Sequence, residues 1–248
     1  MKLNYYIVNP GGNITAIVPG KFTKKLKLKI NKIILENEPT IEQVGFWVAP
    51  KKIKAKARLE MAGGEFCGNA LRSLGALVSL NQKNKKPFWL ESSGIKTELK
   101  VTTSKNKSAF SMLIKDIRSL SDICTLPGIS HIVTEEIFTK EGAKLLLEGN
   151  SLIDQKASGV ISYKKERTIY KINPIVWVKA TKTLYEETAC ASGTIALAYI
   201  LYKKNGIKNL SIKQPSGVVF KTSIKNQIIS LSGPIINVQK SRIEIKKD

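Results

Sequence analysis

The chain has 248 residues and a formal net charge of +22, enough length for one large core or two small ones, with apolar and charged fractions ordinary for a globular protein. No apolar run approaches the roughly 20 residues that span a bilayer, and MKLNYYIVNPGGNIT lacks the apolar core of a signal peptide, so a cytoplasmic location and no membrane partner are expected. Only five of the 41 basic residues are Arg, the residue favoured where base edges and phosphates are read, so the charge reads as a lysine-rich solvated surface and no nucleic-acid partner is expected.

The elements run as follows. NYYIVNP alternates like a strand, Gly-Gly-Asn turns the chain, and ITAIVPG returns as a second strand. The lysine stretch KFTKKLKLKINK reads as solvated surface. EQVGFWVAP and AKARLEMAGG are further strands. From Cys67 the pattern changes: Leu71, Leu74, Leu77 and Val78 recur at helical spacing. Strands resume in PFWLESSG, IKTELKVTT and AFSMLIKDI. Residues 119–128 read as a connector. SHIVTEE is a strand, EGAKLLLEGNSLIDQKA a helix, and VISYKKERTIYKINPIVWVKATKTL more strands. A second clear helix begins at Cys190, with Leu197, Ala198, Ile200 and Leu201 inward. The tail from LSIKQPSG onward is strand and turn.

The two cysteine-to-helix segments match each other. Cys67 and Cys190 lie 123 residues apart, and apolar positions coincide behind them as Leu74 and Leu197, Leu77 and Ile200, Val78 and Leu201. The economical reading is an α+β fold of two pseudo-symmetric domains. Each is a curved, mostly antiparallel sheet around a central helix, with the active site in the cleft between them. The halves are 1–118 with Cys67 and 119–235 with Cys190. Whether 236–248 returns to the first half is left open.

Three cysteines and a single His argue against a disulfide framework, a His-rich metal site and a Cys–His protease pair. Small residues follow both cysteines, in Cys67-Gly68-Asn69-Ala70 and Cys190-Ala191-Ser192-Gly193-Thr194. A helix start of this kind presents backbone N–H groups and partial positive charge. It suits a carboxylate and is expected to lower a thiol pKa. Two such thiols on opposite faces of one Cα could invert it: one takes the α-proton and the other returns a proton to the far side. That chemistry calls for no metal and no cofactor. Either cysteine alone would more simply be a buried packing residue. The matched pair favours catalysis.

At these residues the chain resembles the diaminopimelate epimerase superfamily of cofactor-independent amino-acid racemases. FCGNA and ETACASGT correspond to the two cysteine motifs of that family, and the likeness runs from about residue 5 to about 220. Several family positions differ. GISH carries Ile129 where the family has Asn, Thr181 and Lys182 replace a Glu-Arg pair, and the Asn-x-Asp-Gly-Ser segment is missing before Cys67. These groups surround the distal amino-acid end of diaminopimelate, so the departures point away from that substrate. NPGGNIT, EQVGF, MAGGEFCGNA and QPSG resemble instead the histidine racemase branch that feeds opine-metallophore synthesis.

The resemblance implies Cys67 and Cys190 as the acid–base pair, without saying which serves which enantiomer. Gly68, Asn69, Ser192, Gly193 and Thr194 would offer N–H groups to the substrate carboxylate, or simply cap their helices. Asn13 and Gln43 are carried over as substrate-side polar groups. Glu42 and Glu65 are the acidic candidates for an imidazole, Glu65 alternatively pairing with a lysine. Glu187 would orient the loop before Cys190. His131 matches the family histidine or is a satisfied core residue, and Cys124 is structural. The expected partner is a small amino acid, with L-histidine first and diaminopimelate or a hydroxyproline-like substrate as rivals. A homodimer is left open.

Overall fold

The computed structural model describes residues 2–80 and 86–245. Part of the NQKNKK stretch and the last three residues lie outside them. The architecture is a sheet-dominated α+β fold in which the strands form one continuous hydrogen-bonded series around two buried helices.

The first part of the chain holds β1 (Lys2–Asn9), β2 (Thr15–Pro19), α1 (Lys24–Asn37), β3 (Gln43–Val48), β4 (Ala55–Met61), α2 (Gly68–Leu80), β5 (Phe88–Ser92), β6 (Leu99–Ser104) and β7 (Lys107–Leu113). The β1–β2 turn follows from Gly11, Gly12 and Asn13, all at positive φ, a region that Gly enters freely and Asn more readily than most residues. Along this part neighbouring strands pair antiparallel, parallel, antiparallel, parallel, antiparallel and antiparallel.

Next come β8 (Arg118–Leu120), β9 (Ile123–Leu126), β10 (Ile129–Thr134), α3 (Lys140–Gly149), β11 (Ala157–Glu166), β12 (Ile169–Val178), β13 (Thr183–Glu186), α4 (Ala191–Asn205), β14 (Asn209–Lys213), β15 (Val219–Lys225) and β16 (Ile228–Pro234). From β9 through β10, β11, β12, β14, β15 and β16 the same order of antiparallel and parallel pairs recurs. β7 and β16 join the two series antiparallel. The last strand, β17 (Asn237–Glu244), returns to pair with β1.

Three expectations change. The helix expected over residues 141–157 stops at Gly149, and residues 150–156 turn the chain into β11. The lysine stretch is not bare surface, because its second part forms α1. Thr23 caps that helix through Leu26 N–H at 3.3 Å. Ile30 and Ile34, one turn apart, bury beneath it while lysines occupy the exposed positions. The interleaved lysines mask this apolar stripe in the sequence. The expected connector at 119–128 is instead the β8–β9 hairpin, turning at Ser121 with φ 51°. Strands of three and four residues are too short to show alternation clearly, although Cys124 and Leu126 do bury on one face.

α2 and α4 form the centre. Residues 68–77 of α2 and 191–201 of α4 are buried, as expected for helices enclosed on all sides. α2 packs against β2 to β7, and α4 against β9, β10, β11 and β14 to β16. One core cluster spans both helices, with smaller clusters under α1 and α3. α4 ends at Gly206 in the left-handed conformation, the usual glycine stop.

Candidate active site

The helix starts of α2 and α4 abut. A Cβ on Gly68 would fall 2.8 Å from that of Ala191 and 2.9 Å from the Phe110 ring, so only glycine permits this approach. A second close approach lies behind Phe66. Gly94 and Gly128, with φ of 78° and 82°, meet so tightly that a Cβ on Gly128 would sit 2.8 Å from Gly94 Cα.

Between the helix starts is a cavity of about 40 Å³. Its wall includes Cys67, Cys190, Gly68, Asn69, Ser192, Gln43, Glu65 and Glu187 of the expected residues, with Phe66, Ile129, Val176 and Val178 as apolar surface. Both expected cysteines therefore face one small space. Cys124 is fully buried in the core away from it.

The two thiols have different partners. Thr15 Oγ1 donates to Asn13 O at 2.9 Å, and Gln43 Nε2 donates to Thr15 Oγ1 at 2.8 Å. That leaves Gln43 Oε1 as an acceptor, 2.8 Å from Cys67 Sγ, so Cys67 is the donor and carries a proton. Ala70 N–H also points at this sulfur, at 3.4 Å. Cys190 is the N-cap of α4, and its sulfur accepts from Gly193 N–H at 3.2 Å. Ser192 Oγ lies 3.4 Å from that sulfur, and Glu187 stands on the same cavity wall.

The expected lowering of the thiol pKa is not found. Burial, reinforced by the nearby Glu187 charge, pushes Cys67 up to about 12. The same causes hold Cys190 well above its ordinary value. Desolvation of a thiolate outweighs the N–H groups of a helix start when the sulfur is enclosed. The carboxyls respond in the same way. Burial raises Glu65 to about 7, and Glu65 Oε2 is buried without a hydrogen-bond partner. Burial, with Glu42 nearby, raises Glu187 to about 7, against opposing hydrogen bonds from Cys190 and Asn13.

The other expected residues stand around the cavity rather than on its wall. Glu42 holds the loop before Cys190: Oε2 accepts Thr188 N–H at 3.0 Å and Oε1 accepts the Thr188 hydroxyl. Asn13 is buried, and its N–H donates to Thr188 Oγ1 at 2.6 Å. Gly193 and Thr194 have their N–H groups engaged with Cys190, on Sγ and on the carbonyl at 3.0 Å. In this arrangement they cap α4. His131 is fully buried behind the wall, with Nε2 2.9 Å from Ser192 Oγ. Burial lowers its pKa to about 3, so it is neutral. Nδ1 has no partner.

Three contributors escaped the sequence reading. Thr188 clamps the Cys190 loop. Gln214 accepts Cys190 N–H at 2.9 Å and donates to Thr194 Oγ1 at 3.1 Å, and its QPSG motif was the available signal. Arg72, fully buried on α2, donates to Asn69 Oδ1 at 3.2 Å. Among the described residues, no group of three or more His, Cys, Asp or Glu side chains could hold a metal ion, and no helix is long and apolar enough to cross a membrane.

The chain is similar over nearly its whole length to curated proteins. It is 29% identical to a histidine racemase of Fusobacterium nucleatum, covering 98% of this chain and 97% of the relative. It is 22% identical to a histidine racemase of Staphylococcus aureus, covering 90% and 93%. Solved structures of the same fold include a phenazine biosynthesis PhzF family protein of Enterococcus faecalis, with a TM-score of 0.60 at 16% identity over 97% and 99% of the two chains. A protein of Pseudomonas aeruginosa described as a predicted epimerase has a TM-score of 0.64 at 9% identity over 99% and 100%. The family model described as the histidine racemase CntK N-terminal domain matches residues 2–118 and again 118–235, and the chain belongs to that family.

Proposed function

We propose that the chain is an amino-acid racemase that inverts Cα with Cys67 and Cys190 and that its substrate is histidine. The observation that carries this reading is the placement of two thiols, each at the start of a buried helix, on the wall of one cavity. The twice-matching family model and the repeated order of strand pairings support two pseudo-symmetric halves, 1–118 and 119–235, with the substrate between them. β17 then belongs with the first half through its pairing with β1.

The thiol partners suggest how the reaction starts. Glu187 lines the same cavity as both thiols, and Cys67 is engaged as a donor to the Gln43 amide oxygen. For one enantiomer, the Cys190 proton passes to Glu187 and the sulfur takes the α-proton. The Cα–H bond breaks and an S–H bond forms. Cys67 then gives its proton to the opposite face of Cα and is left as a thiolate, and the proton held by Glu187 restores it to the thiol before the next turnover. The other enantiomer runs the same steps in reverse. The positive charge of the substrate ammonium offsets the desolvation that keeps both thiols neutral. Gly68, Asn69 and Ser192 lie where the helix starts can stabilise the carboxylate as charge builds on it.

Histidine is favoured by the named activity of the curated relatives and by the wall itself. The buried Glu65 Oε2 without a partner is an acceptor for an imidazole N–H, beside apolar Val178 and Ile129. A cavity of about 40 Å³ has room for a few waters rather than an amino acid, so the halves must part to admit substrate and close to exclude water. Chiral analysis after incubation with L-histidine, L,L-diaminopimelate and L-proline tests the assignment. D-Histidine as the dominant product is expected. Inversion of another amino acid alone would keep the chemistry and discard the substrate.

A further inference from the structure

Arg72 has no role in the proton transfers above, yet it is fully buried and has no carboxylate partner among the described residues. A buried unpaired charge is costly unless its donors are satisfied. Here they meet neutral oxygens from separate parts of the chain. Nε donates to Ser108 O at 3.0 Å, and Nη1 to Pro10 O at 3.0 Å and Asn69 Oδ1 at 3.2 Å. Nη2 donates to Pro234 O at 2.7 Å. The guanidinium carbon lies 4.6 Å from the centre of the Phe220 ring. A Cβ on Gly233 would come within 2.7 Å of Nη2, so the surrounding backbone is shaped to the cation.

Two of these bonds lead to the Cys190 loop. With Oδ1 held by Arg72, Asn69 aims Nδ2 at Ala189 O, 2.9 Å away and one residue before Cys190. Pro10 opens the turn whose Asn13 N–H holds Thr188.

We infer that Arg72 is a positioning residue for Cys190: through Asn69 and the Pro10 carbonyl it fixes the loop that carries this cysteine. The inference rests on the two-cysteine reading, but its test does not require histidine to be the substrate.

The test uses the intact chain with Arg72→Gln, which removes the charge, and Arg72→Lys, which keeps it and loses the fork. Turnover, as kcat and KM separately, is followed beside thermal unfolding. Turnover is expected to fall about tenfold or more in both variants, with KM changed less than kcat. A folded Arg72→Gln with unchanged turnover, or with kcat unchanged and only KM raised, overturns the inference. If Arg72→Gln does not fold, Asn69→Asp carries the test, because it keeps the acceptor for Arg72 and removes the amide that holds Ala189. Wild-type turnover in that variant would overturn the inference.

Discussion

Replacing Glu65 with Gln should make the protein more stable and less active, and the size of the gain follows from the site. Glu65 is 8% exposed, and burial raises its pKa from the ordinary 4.5 to about 7. A carboxyl whose folded pKa is raised binds its proton more tightly in the folded state. Stability therefore falls as pH rises from about 4.5 to about 7 and stays reduced above that. At 1.36 kcal/mol for each pH unit, the full cost is about 3 kcal/mol. Gln keeps an oxygen for the backbone N–H groups and carries no charge. Urea unfolding should therefore show Glu65→Gln more stable than wild type by up to about 3 kcal/mol at pH 8, and by no more than about 1 kcal/mol at pH 5. The raised pKa of Glu187 is present in both proteins and largely cancels in the difference. The same variant should lose affinity for histidine, as expected when a site keeps a destabilising group for function. A variant no more stable than wild type at pH 8, or equally stabilised at both pH values, would refute the reasoning.

Gly68→Ala should cut turnover by about 100-fold, because a Cβ there meets Ala191 and Phe110 and must push the helix starts apart; turnover within twofold of wild type would show that the close approach is dispensable. His131 should stay neutral through a nitrogen-15 NMR titration from pH 8 to pH 5, its folded pKa lying at about 3. Its contribution to stability is then lost as pH falls below about 6.5, and a ring that titrates near 6.5 in the folded protein would contradict this. In the free enzyme at pH 7, Cys67 and Cys190 should alkylate at least about tenfold more slowly than free cysteine, since both thiols are held in the neutral form; rapid alkylation at pH 7 would show a thiolate already present.

Much of the fold was legible because its signals are local. Alternation marked β1, β3 and β4, and the helical spacing behind Cys67 and Cys190 marked α2 and α4, whose apolar positions bury almost as read. α1 escaped because its apolar residues are interleaved with lysines, and β8 and β9 because three or four residues carry little periodicity. At the site, the cysteines, Gln43 and Glu65 stood in recognisable motifs. The roles of Glu42 and Thr188 depend on a contact between residues 146 positions apart, which no local pattern encodes. The thiol pKa was misjudged for a related reason. A helix start is visible in sequence, but the enclosure that overrides it comes from residues far away in the chain, Gln43, Ile129, Val176 and Val178 among them.

The most direct test of the central claim is exchange of the histidine α-proton in D2O. Wild type, Cys67→Ala and Cys190→Ala would each be incubated with L-histidine and, separately, with D-histidine. The α-proton signal would be followed by NMR and the enantiomers by chiral analysis. The account predicts deuterium uptake with inversion in wild type and loss of inversion in both variants. Inversion that survives removal of either cysteine would contradict it.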